Sequence, residues 1–348
     1  MKIAVLRNER PDSGDKWFIA CQKKGIEADV IDLTSINALD DVLAKDYGMF
    51  LLRPPGVSEK FKAIYDERVY HIERLLGKPV FPSFFECFIY ENKRSLAQFL
   101  QLKGIAHPKT WVVCDYREAK EFVLNAELPI VAKTSIGAAS SGVKIFKDRA
   151  SLQKYILVAF KGKGIRKRFG PNKQVGNPKG WLKKTIADPS FFKRRLCQYL
   201  SAHAETQRGF VILQEYVQHD FEWRIVKIGE SFFAYKKFKV GDKASGAKNL
   251  GYDSPPFALL DWIRKIAEEN GIQTAAFDVF ENGGDYLINE IQTIFGHKMD
   301  HILEVEGKPG RYLYQEGRWV FEEGMFNSNE SYDLRLEVAL KLYGAGKL

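Results

Sequence analysis

The first 88 residues alternate between short apolar runs and longer segments in which apolar positions recur with helical spacing. Short apolar runs bounded by turn residues are typical of buried strands, and the longer segments are typical of amphipathic helices. Strands are predicted at Ile3–Leu6, Ala28–Leu33 and Met49–Leu52, and helices at Asp15–Lys24 and Glu59–Leu76. Because consecutive parallel strands need a crossover helix, this order predicts a doubly wound parallel sheet.

Arg53 directly follows the third predicted strand, in the phrase Arg53-Pro54-Pro55-Gly56. Ligands of parallel sheets collect at the carboxyl ends of the strands, which makes Arg53 a candidate substrate contact. An ordinary loop arginine is the alternative interpretation.

The pattern changes in the second part of the chain. Asn92 can cap a helix whose apolar face ends near Gly104, and Pro129–Lys133 and Phe210–Val217 are typical of strands. These features predict a central lobe at residues 89–217 that follows an N-terminal domain at residues 1–88. A Gly-rich and basic stretch within the lobe, residues 161–209, is interpreted as an insertion.

The last part of the chain, residues 218–348, is predicted to form a third unit made mainly of hairpins. Two strands joined at Gly229-Glu230 and two joined at Asn282–Asp285 have the lengths and turn residues of antiparallel pairs. The remaining predicted elements are a helix at Pro256–Asn270, a hairpin at Tyr312–Phe321 and a closing helix at Tyr332–Tyr343.

Composition places the chain among ordinary globular proteins, with 45% hydrophobic and 28% charged residues in 348. No apolar run approaches the ~20 residues needed to cross a bilayer, and the polar turn after Leu6 is not typical of a signal peptide. The four cysteines lie far apart, without metal or redox spacing. We therefore expect reduced thiols and a cytoplasmic location.

The net charge of +9 is concentrated in one segment. Residues 161–209 hold 13 Lys and Arg against Asp188 and Glu205, so the rest of the chain is slightly acidic. Such a basic segment can recruit nucleic acid, acidic lipid headgroups or a phosphorylated substrate. A solvated surface insertion explains it equally well.

Two segments carry candidate nucleotide chemistry. Lys133 ends a strand and precedes a loop of small residues from Gly137 to Gly142, which would let backbone N–H groups approach phosphate oxygens. Gln214-Glu215-Tyr216-Val217 ends another strand and could hydrogen-bond an adenine edge. Neither segment is specific when taken alone. Loops of small residues are common, and Gln214–Val217 is equally well a plain strand end.

A carboxylate pair indicates a metal site. Asp278 lies in one apolar strand, and Glu290 and Gln292 lie in the next, so the hairpin can bring Asp278 opposite Glu290. Carboxylates in an apolar sheet are costly unless they are paired or bind a metal, and two carboxylates with an amide oxygen suit Mg²⁺. A structural network with nearby lysines is the alternative.

Cationic residues lie between these segments, and other catalytic motifs are missing from the sequence. Arg224 shares a strand face with Glu222, and Lys237 follows on the next strand, where positive charge could neutralise a phosphate in transfer. No zinc-like histidine spacing, Gly-x-Ser-x-Gly elbow or Gly-x-x-x-x-Gly-Lys-Ser/Thr loop is present.

The order of these motifs resembles the ATP-grasp superfamily, especially the branch of glutathione synthetase and the ribosomal-protein glutamate ligases. The matching segments are Asn92-Lys93, Val131-Ala132-Lys133 with its small-residue loop, Gln214–Val217, Glu222-x-Arg224, and Asp278 with Glu290-x-Gln292. The resemblance covers about residues 92–297. It implies an α/β and α+β protein, in which an N-terminal doubly wound parallel-sheet domain precedes a two-lobed ATP-grasp fold.

The resemblance also implies roles for individual residues. ATP phosphates would bind Lys93, Lys133 and the loop residues Gly137, Ser140, Ser141 and Gly142. The adenine would bind at Gln214, Glu215 and Val217, and the ribose at Glu222. Arg224 and Lys237 would contact phosphate or acyl phosphate. Two Mg²⁺ ions, for which Mn²⁺ could substitute, would bind Asp278, Glu290 and Gln292.

The implied reaction is ATP-dependent ligation of a small or peptide carboxylate to an amine through an acyl phosphate. Gln292 takes the place of the family's usual Asn, and Thr293–His297 replaces the usual Pro-Gly turn near the acceptor site. A phosphotransferase on the same fold and a basic module that binds nucleic acid or a membrane surface are the alternatives. Nucleic acid is not the expected partner, an anionic substrate would suit the basic insertion, and homo-oligomerisation is left open.

Overall fold

The computed structural model describes residues 1–137, 142–167, 205–240, 243–244, 249–297 and 299–348. Its N-terminal sheet has four parallel strands in the order β2-β1-β3-β4, which confirms the predicted doubly wound topology. The strands are β1 (Ile3–Arg7), β2 (Ala28–Asp32), β3 (Met49–Leu52) and β4 (Val80–Phe81), and the helices among and after them are α1 (Asp15–Lys23), α2 (Ala38–Leu43), α3 (Glu59–Arg74) and α4 (Phe84–Ile89). The pattern did not predict α2 and α4, each of which has only six residues.

The central sheet is antiparallel, in the order β5-β10-β6-β7. Its strands are β5 (Thr110–Val113), β6 (Ile130–Lys133), β7 (Val143–Phe146) and β10 (Val211–Glu215), and the helices α6 (Tyr116–Asn125) and α7 (Arg149–Phe160) cover one face. Because side chains alternate along a strand, Lys133, Ile212 and Gln214 lie on the opposite face.

The basic insertion begins and ends on a two-stranded ladder. Strand β8 (Ile165–Arg166) pairs with β9 (Thr206–Gln207), which brings the two ends of the segment together. Residues 168–204, which carry most of the insertion's charge, lie outside the described residues.

The C-terminal sheet is antiparallel and contains the largest core. All three predicted hairpins are confirmed. The strands are β11 (Phe221–Ile228), β12 (Ser231–Val240), β13 (Lys243–Ala244), β14 (Leu250–Gly251), β15 (Thr274–Asn282), β16 (Asp285–Gln292), β17 (Glu304–Val305), β18 (Lys308–Gln315) and β19 (Arg318–Glu323). The amphipathic helices α5 (Lys93–Leu102) and α8 (Phe257–Glu269) contribute apolar side chains to this core.

The closing helix returns to the start of the chain. Helix α9 (Tyr332–Gly344) packs Tyr332, Leu336 and Ala339 against Ile3, Trp17 and their neighbours on the N-terminal sheet. The predicted boundary at residue 88 falls inside α4, so the division into three domains stays a prediction. Within the described residues, every helix is too short or too polar to cross a membrane.

Glu86 links the N-terminal segment to the C-terminal sheet. Its fully buried carboxylate accepts hydrogen bonds from the backbone N–H groups of Gln273 and Thr274, both at 2.8 Å, and from Ser83 at the start of α4. Thr293 donates its hydroxyl to the Glu86 carbonyl. These bonds fix α4 against the beginning of β15.

We expect Glu86→Ala to lower the free energy of unfolding by about 3 kcal/mol, because the buried N–H groups of Gln273 and Thr274 lose their acceptor. Urea unfolding followed by tryptophan fluorescence measures the change. Glu118→Ala, at an exposed position of α6, is the control and should change stability by no more than about 0.5 kcal/mol. Equal effects of the two changes would contradict the linking role of Glu86.

Candidate functional site

The strand register of the C-terminal sheet brings charged side chains from several strands to one face. Arg224 on β11 lies opposite Asp278 on β15, and Asp278 lies opposite Glu290 on β16. Glu222 and Lys237 form the adjacent cross-strand pair of β11 and β12. The predicted pairing of Asp278 with Glu290 is therefore present, and it belongs to a longer row of charges.

Asp278 is held by two cations. Arg224 donates Nε and Nη2 to the two carboxylate oxygens at 2.7 and 2.8 Å, and Lys237 Nζ lies 2.7 Å from Oδ2. Burial by itself raises the pKa of Asp278, but the two cations lower it to about 2. Lys237 also contacts Glu222 at 2.7 Å, so a single ammonium serves two buried carboxylates.

Lys93, the first residue of α5, connects the N-terminal segment to this row. Its ammonium lies 3.2 Å from Glu290 and 3.4 Å from Glu91, and it donates to the Gly137 carbonyl at 3.2 Å. Asn92 caps the helix by accepting the N–H of Ser95, as the sequence predicted. Lys93 thus faces the start of the small-residue loop.

A β-bulge adds a side chain that strict strand alternation would place on the other face. Asp278 pairs with Glu290 and Val279 pairs with Ile288, which leaves Asn289 as the extra residue. Asn289 accepts from Lys133 Nζ at 2.9 Å and donates to Glu222 at 3.1 Å. The bulge therefore joins Lys133 of the central sheet to the C-terminal charge cluster.

A cleft lies beside Lys133. Its lining combines apolar and polar side chains, and the residues are Lys93, Leu96, Ala97, Leu100, His107, Thr110, Lys133, Ile212, Gln214 and Asn289. A concave apolar surface with a few polar groups is typical of a small-molecule site. Burial lowers the pKa of Lys133 to about 8, with Lys93 acting in the same direction.

The predicted adenine residues lie at the end of β10. Gln214 lines the cleft and donates to Thr110 Oγ1 at 2.9 Å. The exposed Glu215 side chain accepts the N–H of Lys109, and the Val217 carbonyl is 2.8 Å from His219 Nδ1. Of these groups, only the Gln214 side chain contributes to the cleft lining.

The predicted phosphate loop is described only at its two ends. Ser140 and Ser141 lie outside the described residues, whereas Gly137 and Gly142 lie within them. A Cβ at Gly142 would lie 1.7 Å from Thr134 Oγ1, so only glycine fits there. The N–H of Gly137 donates to Glu91 at 3.2 Å.

The proposed metal ligands have suitable chemistry but carry competing partners. Ionised Asp278 and Glu290 are hard oxygen donors, and cations lower the pKa of both groups although burial opposes this. Gln292 Oε1 accepts from Arg224 Nη2 at 3.3 Å, so its amide oxygen points to the same face. Within the described ranges, no three His, Cys, Asp or Glu side chains are grouped to hold a metal. The residues fit Mg²⁺ that is also held by nucleotide phosphates.

Two residues of the cluster were missed by sequence reasoning. Asn289 gave no signal because its orientation depends on the bulge. Glu91, buried and in a left-handed conformation with φ 48°, stands one residue before the motif Asn92-Lys93. A buried acid in such a backbone conformation is uncommon, but neither property can be recognised in the sequence.

Sequence comparisons and structure comparisons differ in what they find. No family model and no curated protein matches the chain by sequence. Among solved structures, D-alanine–D-alanine ligase from Bacillus anthracis is similar over 99% of both chains, with TM-score 0.55 and 14% identity. A RimK-domain ATP-grasp protein from Sphaerobacter thermophilus is similar over 84% of this chain and 90% of that one, with TM-score 0.52 and 15% identity.

A third similar structure is an ADP complex of N5-carboxyaminoimidazole ribonucleotide synthetase, with TM-score 0.54 and 13% identity over 86% of this chain and 71% of that one. At these identities the likeness establishes the fold. The chain has the ATP-grasp fold, as the order of motifs predicted, and shares it with ligases.

We expect Lys237→Met to lower the free energy of unfolding by about 3 kcal/mol, because Glu222 and Asp278 lose a buried counter-charge. The control is Lys236→Met on the same strand, where the ammonium pairs with the exposed Asp253 and is expected to contribute at most about 1 kcal/mol. Urea unfolding of both variants is the measurement. A larger loss in Lys236→Met would refute the central role of Lys237.

Proposed function

We propose that this protein is an ATP-dependent carboxylate–amine ligase that acts through an acyl phosphate. The observation that carries the proposal is the charged row Arg224, Asp278 and Glu290, which faces the cationic groups of Lys93 and Lys133 in an ATP-grasp fold. A phosphoryl group in transfer is stabilised by preorganised positive charge and by a metal held on hard oxygen ligands. Both the cationic side chains and the oxygen ligands are present.

Lys93 and Lys133 are assigned to the ATP phosphates. Both line the same cleft, and their present partners, Glu290 and Asn289, are groups that a phosphate can replace. The loop residues Gly137, Ser140, Ser141 and Gly142 would add backbone N–H groups. A structural neighbour, D-alanine–D-alanine ligase from Bacillus anthracis, has been solved in complex with ATP, which supports ATP as the nucleotide.

Gln214, Glu215 and Val217 are assigned to the adenine and Glu222 to the ribose. Gln214 already lines the cleft, and the apolar side chains of Leu96 and Ile212 offer contact to a flat base. Glu222 is bound by Lys237 and Asn289, so a ribose hydroxyl would join an existing network.

Asp278, Glu290 and Gln292 are assigned to Mg²⁺. We propose that they bind two ions, for which Mn²⁺ could substitute. When bound, the metal supplies positive charge to the phosphate oxygens. Glu290 is the more accessible carboxylate, with 22% side-chain exposure against 4% for Asp278. Arg224 and Lys237, which bind Asp278 in this structure, would also contact the phosphate or acyl phosphate of the substrate.

In the proposed mechanism, a substrate carboxylate attacks the γ-phosphorus of ATP in line with the bond to the leaving ADP. Lys93 and Lys133 hold the phosphates, and Arg224 and Lys237 stabilise the acyl phosphate. An amine then attacks the acyl carbon and phosphate leaves. Closure of the two lobes would exclude water, which protects the acyl phosphate from hydrolysis.

The substrates are proposed to be a small or peptide carboxylate and an amine, by analogy with the ligases that share the fold. A cytoplasmic location is proposed because Cys21, Cys87 and Cys114 are free thiols.

The direct test is release of ADP and phosphate that depends on a carboxylate, measured with a panel of amino acids and small dicarboxylates, each with an amine. Lys133→Ala and Glu290→Ala should each lower turnover by ~100-fold, as expected for the loss of a phosphate or metal contact. The controls Lys144→Ala and Asp285→Ala, at exposed positions of neighbouring strands, should retain activity. A stable phosphorylated acceptor in place of an amide would identify a phosphotransferase and refute ligation.

Nucleotide affinity should fall as the pH rises through 8. The pKa of Lys133 is lowered to about 8, so the charged form predominates at pH 7 and about a tenth remains at pH 9. Affinity for a non-hydrolysable ATP analogue, measured by calorimetry, should therefore decrease up to about tenfold between these pH values. Lys133→Arg keeps its charge, and an equal decrease in that variant would contradict the assignment.

A further inference from the structure

Glu91 is a buried acid that contacts two groups assigned to the ATP phosphates. Its Oε2 accepts the N–H of Gly137 at 3.2 Å, and Lys93 Nζ lies 3.4 Å from the same oxygen. Gly137 begins the small-residue loop, and Lys93 begins α5. One carboxylate oxygen therefore joins the start of the loop to the start of the helix.

The surrounding backbone fixes this contact. The N–H of Lys93 donates to the Ser135 carbonyl at 2.9 Å, and the Lys93 ammonium donates to the Gly137 carbonyl at 3.2 Å. Gly56, in the loop after β3, packs against Glu91, because a Cβ there would lie 3.3 Å from Glu91 Cγ. The left-handed conformation of Glu91 is unfavourable for a residue with a side chain, and such conformations persist where the surrounding contacts determine them.

Lys93 depends on acids outside its own helix. The first turn of α5 contains no acidic residue, and the positive end of the helix dipole disfavours an ammonium there. The Lys93 side chain is also only 11% exposed, and burial disfavours a charge without a partner. Glu91 and Glu290 supply the compensating negative charge, at 3.4 and 3.2 Å from Nζ.

These two carboxylates differ in what else they can bind. The Glu290 side chain is 22% exposed and is assigned to the metal, whereas the Glu91 side chain is 2% exposed. A metal on Glu290 would compete with Lys93 for that carboxylate. Glu91 would then be the acid that continues to hold Lys93 while a phosphate binds.

We propose that Glu91 is a positioning residue that holds the Lys93 ammonium and the Gly137 N–H in place for the phosphates of ATP. This inference rests on the proposed function, in which Lys93 and the loop bind phosphate and Glu290 binds the metal. Glu91 acts through Lys93 and does not itself contact the nucleotide. A lysine that is held before the nucleotide arrives loses less conformational entropy on binding, so its contact with phosphate contributes more to affinity.

A double-mutant cycle tests whether Glu91 acts through Lys93. Calorimetry gives the affinity for a non-hydrolysable ATP analogue with Mg²⁺ in the native protein, Glu91→Gln, Lys93→Met and the double variant. Glutamine keeps the size of Glu91 and an oxygen acceptor for the Gly137 N–H, so the variant removes the charge that holds Lys93. We expect Lys93→Met to weaken binding about tenfold or more in the native background, and by a factor at least about three times smaller in the Glu91→Gln background.

Asp66→Asn is the matched control, since Asp66 is also a buried acid paired with a lysine, Lys62, but on α3. In that background Lys93→Met should weaken binding as much as in the native protein. An equal effect in the Glu91→Gln background would give Glu91 a merely structural role. A larger effect would show that Glu91 competes with phosphate for Lys93, and either result overturns the proposal.

A crystal structure of the native protein with Mg²⁺ and the analogue needs no variant, and it decides the question where Glu91→Gln does not fold. Glu91 Oε2 should remain within about 3.5 Å of Lys93 Nζ while Nζ contacts a phosphate oxygen. A Glu91 carboxylate that has moved away from Lys93 overturns the proposal.

The outcomes separate this inference from the proposed function. Carboxylate-dependent release of ADP without coupling between Glu91 and Lys93 would refute the positioning role alone. The expected coupling without any carboxylate-dependent release of ADP would refute ligation alone. A native protein that does not bind the analogue would refute both.

Discussion

Asp278 lies in the middle of the C-terminal sheet, where its carboxylate is bound by Arg224 from one neighbouring strand and by Lys237 from the strand beyond. Buried charges are tolerated only when each has a partner, so this contact constrains the register of three strands at once. Glu222 also forms an ion pair with Lys237, and Asn289 donates a hydrogen bond to Glu222. The remaining polar groups of the candidate site are thereby placed relative to Asp278.

The same cluster also connects the separate units of the chain. Lys133 reaches it from the central sheet through Asn289, and Lys93 reaches it from the start of α5 through Glu290. Glu86 fixes α4 to the beginning of β15 only a few residues away from Asp278 along that strand. The cleft is therefore lined by the central sheet, α5 and the C-terminal sheet, whose relative positions depend on buried polar contacts. An ATP phosphate or a metal bound there would contact side chains from all three.

The candidate residues were recognised from the sequence where residue type and strand period were enough. The hairpin spacing that put Asp278 opposite Glu290 needs only alternation and a short turn, and both are readable in the chain. Asn289 was not recognisable, because the bulge that redirects it depends on the pairing of two strands. The contact between Lys93 and Glu290 joins residues far apart in the chain, which no local pattern can relate.

By itself, the sequence determined the alternation of elements, the parallel N-terminal sheet, the three C-terminal hairpins and the order of motifs that predicts an ATP-grasp fold. These depend on local periodicity, turn residues and capping, as Asn92 illustrates. Only the tertiary structure decided that α9 returns to the N-terminal sheet, that Lys237 serves two carboxylates and that a β-bulge brings Asn289 to Lys133. Those facts depend on contacts between residues far apart in the chain. They also depend on burial, which sets the free-energy cost of leaving a charge without a partner.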